Sequence, residues 1–123
     1  MTEKNIEEFN KLQPQVKSAY DEISILSKKK PEDAVNKFKL KFINGIIERA
    51  NNLIGKEFMP FPDDFEAFNV DEMPTNSDVV FIFANYLKSL EKFKRNNIKY
   101  SDGNWYWVVN GEKSKIRTSK PMD

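Results

Sequence analysis

The sequence predicts an α+β fold: three to four helices packed as one layer or a small bundle, followed by a C-terminal two- or three-stranded antiparallel β-meander. Three observations point there. Apolar residues recur at helical spacing through most of the first 97 positions, the period changes to strand-like alternation at Trp105–Val109, and Asn110-Gly111 stands where a hairpin would turn. Runs of helix followed by runs of strand give a segregated α+β architecture rather than an alternating one.

A chain of 123 residues is expected to form one domain over 1–123. Its parts are a helical region (1–55), an acidic, Phe-rich loop (56–78), a further helix (79–97) and the meander (98–118). Disorder is disfavoured by 39% hydrophobic residues, 13% aromatics and only 4 Gly and 6 Pro.

The first helical segment runs from Glu3 to about Lys29. Ile6, Phe9 and Leu12 share one face, and Val16, Ala19, Tyr20, Ile23 and Leu26 continue at three- and four-residue steps. Pro14 lacks an amide hydrogen, so it either starts a second helix as its first residue or kinks a single long one; of the two, a short helix followed by a longer one is expected. Pro31, followed by Glu32 and Asp33, is then expected to open the next helix. Val35, Phe38, Phe42, Ile46, Ala50 and Leu53 form its apolar stripe, widened by Ile43, Ile47 and Ile54, and Gly55 is placed to stop it.

Residues 56–75 carry three prolines, six acids and four phenylalanines, which excludes a continuous helix; at most one turn is expected, from Asp63 to Phe68. Thr75 and Asp78 make a variant of the capping box, and the helix they open should bury Val79, Ile82, Phe83, Tyr86, Leu87, Leu90 and Phe93. In the tail, Trp105 to Val109 and Glu112 to Thr118 form the hairpin. Ile98 to Tyr100 can add a third strand through the turn 101–104.

Several classes of function are set aside by what is missing. With no cysteine there is neither a disulfide framework nor a thiolate metal site. With no histidine there is no Ser-His or Cys-His arrangement, and neither phosphate-binding glycine motif is present. The acids between Asp63 and Asp78 do not follow the calcium-loop spacing. A non-enzyme without cofactor or metal is therefore expected. The charged N-terminus is unlike a leader peptide and the longest apolar stretch, Val79–Ala84, is six residues, so a cytoplasmic protein without a membrane partner is expected.

Charge is balanced overall, with a formal net of +1, but unevenly distributed: residues 1–55 carry a net of +2, 56–78 a net of −6 and 79–123 a net of +5. Lysine outnumbers arginine 17 to 3, a bias that reads as an AT-rich genome such as that of a phage or mobile element.

Two surfaces follow as candidates. Phe61, Asp63, Asp64, Phe65, Glu66, Phe68, Asp71 and Glu72 interleave aromatics with carboxylates, the pattern of an acidic-aromatic surface docking on a basic groove of a protein partner, as a regulator or inhibitor would. The bland alternative is a solvated acidic loop whose phenylalanines plug the core. The second surface combines the basic stripe Lys88, Lys92, Arg95 and Lys99 with Trp105, Trp107, Lys113, Lys115 and Arg117, rings for bases and cations for phosphates in a nucleic-acid module. Its alternative is a hairpin that packs at least one tryptophan on the helices. A self-assembling subunit pairing as a homodimer through the stripe on 35–54 is the third reading.

Overall fold

A computed structural model describes residues 1–122. Three helices are followed by a three-stranded antiparallel sheet: α1 (Glu3–Lys29), α2 (Lys37–Phe58), a 3-10 turn (Val70–Glu72), α3 (Asn76–Asn96), β1 (Ile98–Ser101), β2 (Asn104–Val109) and β3 (Glu112–Thr118).

Thr2 opens α1 as a capping box with Asn5, and the helix then passes through Pro14 unbroken. The expected division into two helices is therefore incorrect. Leu12 and Val16, on either side of the proline, are both fully buried, so packing holds the helix together where the missing amide would let it part. The proline ring itself faces solvent.

The start of α2 also differs from expectation: Asn36, not Pro31, caps it, its side chain accepting from the Lys39 amide. Residues 30–36 instead pair with the entrance to α3. Val35 N–H donates to the Pro74 carbonyl (2.9 Å), Asn76 N–H to that of Asp33 (2.9 Å), and the buried Asn76 side chain to that of Lys30 (3.0 Å).

The buried face of α2 is Leu40, Ile43, Ile47, Ala50 and Ile54. Phe38 and Phe42, expected in the core stripe, lie outside it at 73% and 56% exposure. Apolar residues lie on two flanks of this helix, aliphatic on one and Phe38 and Phe42 among lysines on the other, and the neighbours to be covered selected the aliphatic one. Gly55 ends the regular helix at φ 71, ψ 172, a conformation essentially restricted to glycine, and one further turn follows.

No helix forms over Asp63–Phe68; a turn at Phe61–Asp64 and the 3-10 turn at Val70–Glu72 stand there instead. Thr75 and Asp78 make the expected capping box, side chain to amide in both directions (3.2 and 2.8 Å).

The sheet order is β1-β2-β3. Both tight turns place two successive residues at positive φ, Asp102-Gly103 and Asn110-Gly111, as the primed two-residue turns require. Opposite Trp107 the register shifts, and Ser114 bridges the irregularity: its hydroxyl donates to the Trp107 carbonyl (2.6 Å) and accepts from the Ile116 amide (3.0 Å). Trp107, 1% exposed, closes the core by meeting Phe9 edge-on at 5.1 Å, while Phe9 stacks on Phe93 of α3.

Candidate functional site

The segment from Met59 to Pro74 has almost no regular structure, so its position must come from side chains. Two asparagines of α2, seven residues apart and hence on one face, supply it. Asn44 binds Phe68 twice, donating to its carbonyl (3.0 Å) and accepting from its amide (2.9 Å). Asn51 donates to the Glu66 carbonyl (3.0 Å) and accepts from the Tyr86 hydroxyl of α3 (2.5 Å). Burial raises the Tyr86 pKa, which the bond to Asn51 partly offsets; the nearby Glu66 carboxylate pushes it the same way as burial.

Held in this way, the three phenylalanines of the segment, and Phe58 at the end of α2, lie half in and half out. Phe58, Phe61, Phe65 and Phe68 pack against the core with one side and keep part of each ring accessible. Phe65 and Phe68 meet edge to face at 4.9 Å, and Phe61 stacks on Phe81 of α3 at 5.7 Å. Phe81 is 58% exposed and was not among the sequence-derived candidates. Its signal is available in the sequence: it is a large apolar residue that falls off the buried stripe of its helix.

Between the segment and α3 opens a cleft of about 480 Å³. Phe65, Phe68, Phe81 and Ile82 form apolar walls, and Asp64, Glu72 and Asp78 contribute carboxylates. Asp78 is occupied by its cap. The carboxylates of Asp63, Asp64, Glu66, Asp71 and Glu72 are exposed, and none enters an ion pair among the described residues; the three ion pairs there are Lys17–Asp21, Lys39–Glu22 and Arg49–Glu8. Nor do three acidic side chains converge to hold a metal ion among the described residues. The cleft thus brings together Asp64, Phe65, Phe68 and Glu72 of the acidic-aromatic candidates, with Phe61 reaching it through Phe81. Asp63, Glu66 and Asp71 are not among its lining.

The basic candidates divide differently. Lys88, Lys92, Arg95 and Lys99 are exposed. Across the sheet Lys99, Tyr106 and Arg117 stand in one cross-strand row, and the Lys113 ammonium lies over the Tyr106 ring at 4.3 Å. Lys113, Lys115 and Arg117 all face solvent. The ring on this basic face is therefore Tyr106. Trp107 is sealed in the core, and Trp105 turns to the opposite face against Tyr100 at 5.3 Å.

One further cation is buried. Lys94 is 7% exposed and donates to the Ser119 hydroxyl (2.6 Å); burial lowers its pKa, and the Glu91 carboxylate partly counters that. Glu91 also accepts from the Met122 amide, and Arg95 donates to the Met122 carbonyl, so α3 fastens the tail that covers Lys94.

No protein-family model, curated protein or solved structure matches this chain. Among the described residues no helix is long and apolar enough to cross a membrane.

Proposed function

We propose that this chain is a non-enzymatic protein-binding regulator or inhibitor, acting inside the cell through its acidic-aromatic surface on a basic region of a partner. The observation that carries the reading is the cleft beside α3, where aromatic walls adjoin carboxylates that enter no ion pair among the described residues. Apolar anchors surrounded by polar groups are the arrangement in which binding energy concentrates. Exposed acids add steering toward a basic partner. The absence of histidine and cysteine from the chain supports a binding role over a nucleophilic one.

The test uses basic peptides that each carry an aromatic residue, titrated against the whole chain and against a variant with Asp63, Asp64, Asp71→Asn and Glu66, Glu72→Gln. Binding that weakens with salt and disappears in the variant, with the circular dichroism unchanged, supports the reading. Equal binding by the variant overturns it.

A second reading, nucleic-acid binding, draws on the row Lys99–Tyr106–Arg117 and on the Lys113–Tyr106 contact. Phosphate contacts make such binding fall steeply with salt. Fluorescence titration with single-stranded DNA and RNA at two salt concentrations separates the two readings. Salt-sensitive binding lost on Lys113→Ala and Arg117→Ala favours this one, and no binding at either concentration removes it.

A further inference from the structure

The cleft has a counterpart on the same molecule. At the start of α2, Phe38 and Phe42 meet edge to face at 5.1 Å and both project into solvent. Lys37, Lys39 and Lys41 alternate with them, and only Lys39 has an ion-pair partner among the described residues, Glu22 at 3.8 Å. One patch is therefore basic and aromatic and the other acidic and aromatic. Each leaves apolar surface open that folded chains usually keep covered unless it is an interaction site.

The two patches cannot satisfy each other within one chain. Asn44 faces the acidic segment, holding Phe68. With 3.6 residues per turn, Phe42 lies about 160° around the helix from Asn44 and Phe38 about 120°. The basic face therefore looks away from the cleft.

We propose that the occupant of the cleft is the Phe38–Phe42 face of a second copy of this chain. Its lysines would approach Asp64 and Glu72 while its rings meet Phe81 and Phe68. Because the patches differ and point in different directions, the contact is heterologous: each copy offers one of each, and association runs head to tail into an open chain or a closed ring. This inference rests on the cleft being a binding site and goes beyond it by naming what binds.

Sedimentation velocity on the whole chain tests it. The expected result is association that grows with protein concentration and weakens with salt, since exposed charges are screened. Two variants then locate the contact. Phe38→Ser with Phe42→Ser keeps the cleft, and Glu72→Lys with Phe81→Ser keeps the basic face; all four positions are exposed, so the fold is spared. Each variant alone should be monomeric, and an equimolar mixture should give a heterodimer and nothing larger. A wild type that stays monomeric at every concentration overturns the inference. So does a wild type that associates while the mixed variants do not, which would place the contact elsewhere. If the chain is monomeric yet its cleft retains an unrelated basic peptide, the inference fails and the proposed function stands.

Discussion

The side-chain amide of Asn44 holds both backbone groups of Phe68, its nitrogen on the carbonyl at 3.0 Å and its oxygen on the amide at 2.9 Å. This is the pairing that a neighbouring strand would provide, delivered by one residue of a helix. It explains how a segment with three prolines and almost no regular structure keeps a cleft open on the surface. Asn51 repeats the device two helical turns on and ties it to Tyr86 of α3.

Asn44→Ala should therefore destabilise the chain by about 1–3 kcal/mol, because a half-buried amide and carbonyl lose their partner together. Urea denaturation gives the magnitude. Hydrogen exchange should show lost protection at the Phe68 amide, with α1 unaffected.

Phe81 and Trp107 make opposite predictions although both are large aromatics. Phe81→Ser should change stability by no more than about 0.5 kcal/mol, as exposed sites do, while weakening binding at the cleft. Trp107→Ala should cost about 3–5 kcal/mol through the cavity left against Phe9. Denaturation midpoints paired with a peptide titration separate the two effects.

Pro14→Ala should raise the melting temperature. The new amide can bond the Asn10 carbonyl and removes a helix-interior proline penalty of up to about 3 kcal/mol. A lower melting temperature would mean that the proline shapes the packing of α1 on its neighbours.

Lys94→Met should stabilise the chain by about 1 kcal/mol at neutral pH, since it removes a buried charge with a hydroxyl as its hydrogen-bond partner. The sign with pH follows from the lowered folded pKa. Between that value and the ordinary 10.5 the unfolded chain holds the proton more firmly, so wild-type stability gains from Lys94 as pH rises. The advantage of the variant is thus fully present below the folded pKa and shrinks through that window. Unfolding curves of both chains across the alkaline range read the difference directly. Tyr86 contributes equally to both and cancels: its raised pKa makes folding less favourable above pH 10.0 in each.

Several elements set by interactions over four residues or fewer were legible in the sequence, although the Asn36 cap of α2 was not. The Thr75–Asp78 capping box, the glycine stop at Gly55, the Asn110-Gly111 turn and the third strand entered through Asp102-Gly103 all belong here. So does the buried stripe of α3, where of the residues expected to be buried only Leu87 is half-buried. The acidic-aromatic segment was legible as a composition, and half of its named residues line the cleft.

What the sequence by itself determined, then, was the order of elements, the cap of α3, the hairpin turns and the location of the charge. The tertiary structure decided the rest, because burial is a competition among faces that no local rule scores. Two apolar flanks of α2 competed for one core, and Leu40, Ile43 and Ile47 won over Phe38 and Phe42. Leu12 and Val16 held α1 together across a proline that alone would have parted it. Phe81 became a cleft wall only because Asn44 and Asn51 brought a distant segment beside it, and such a contact exists only once the chain has folded.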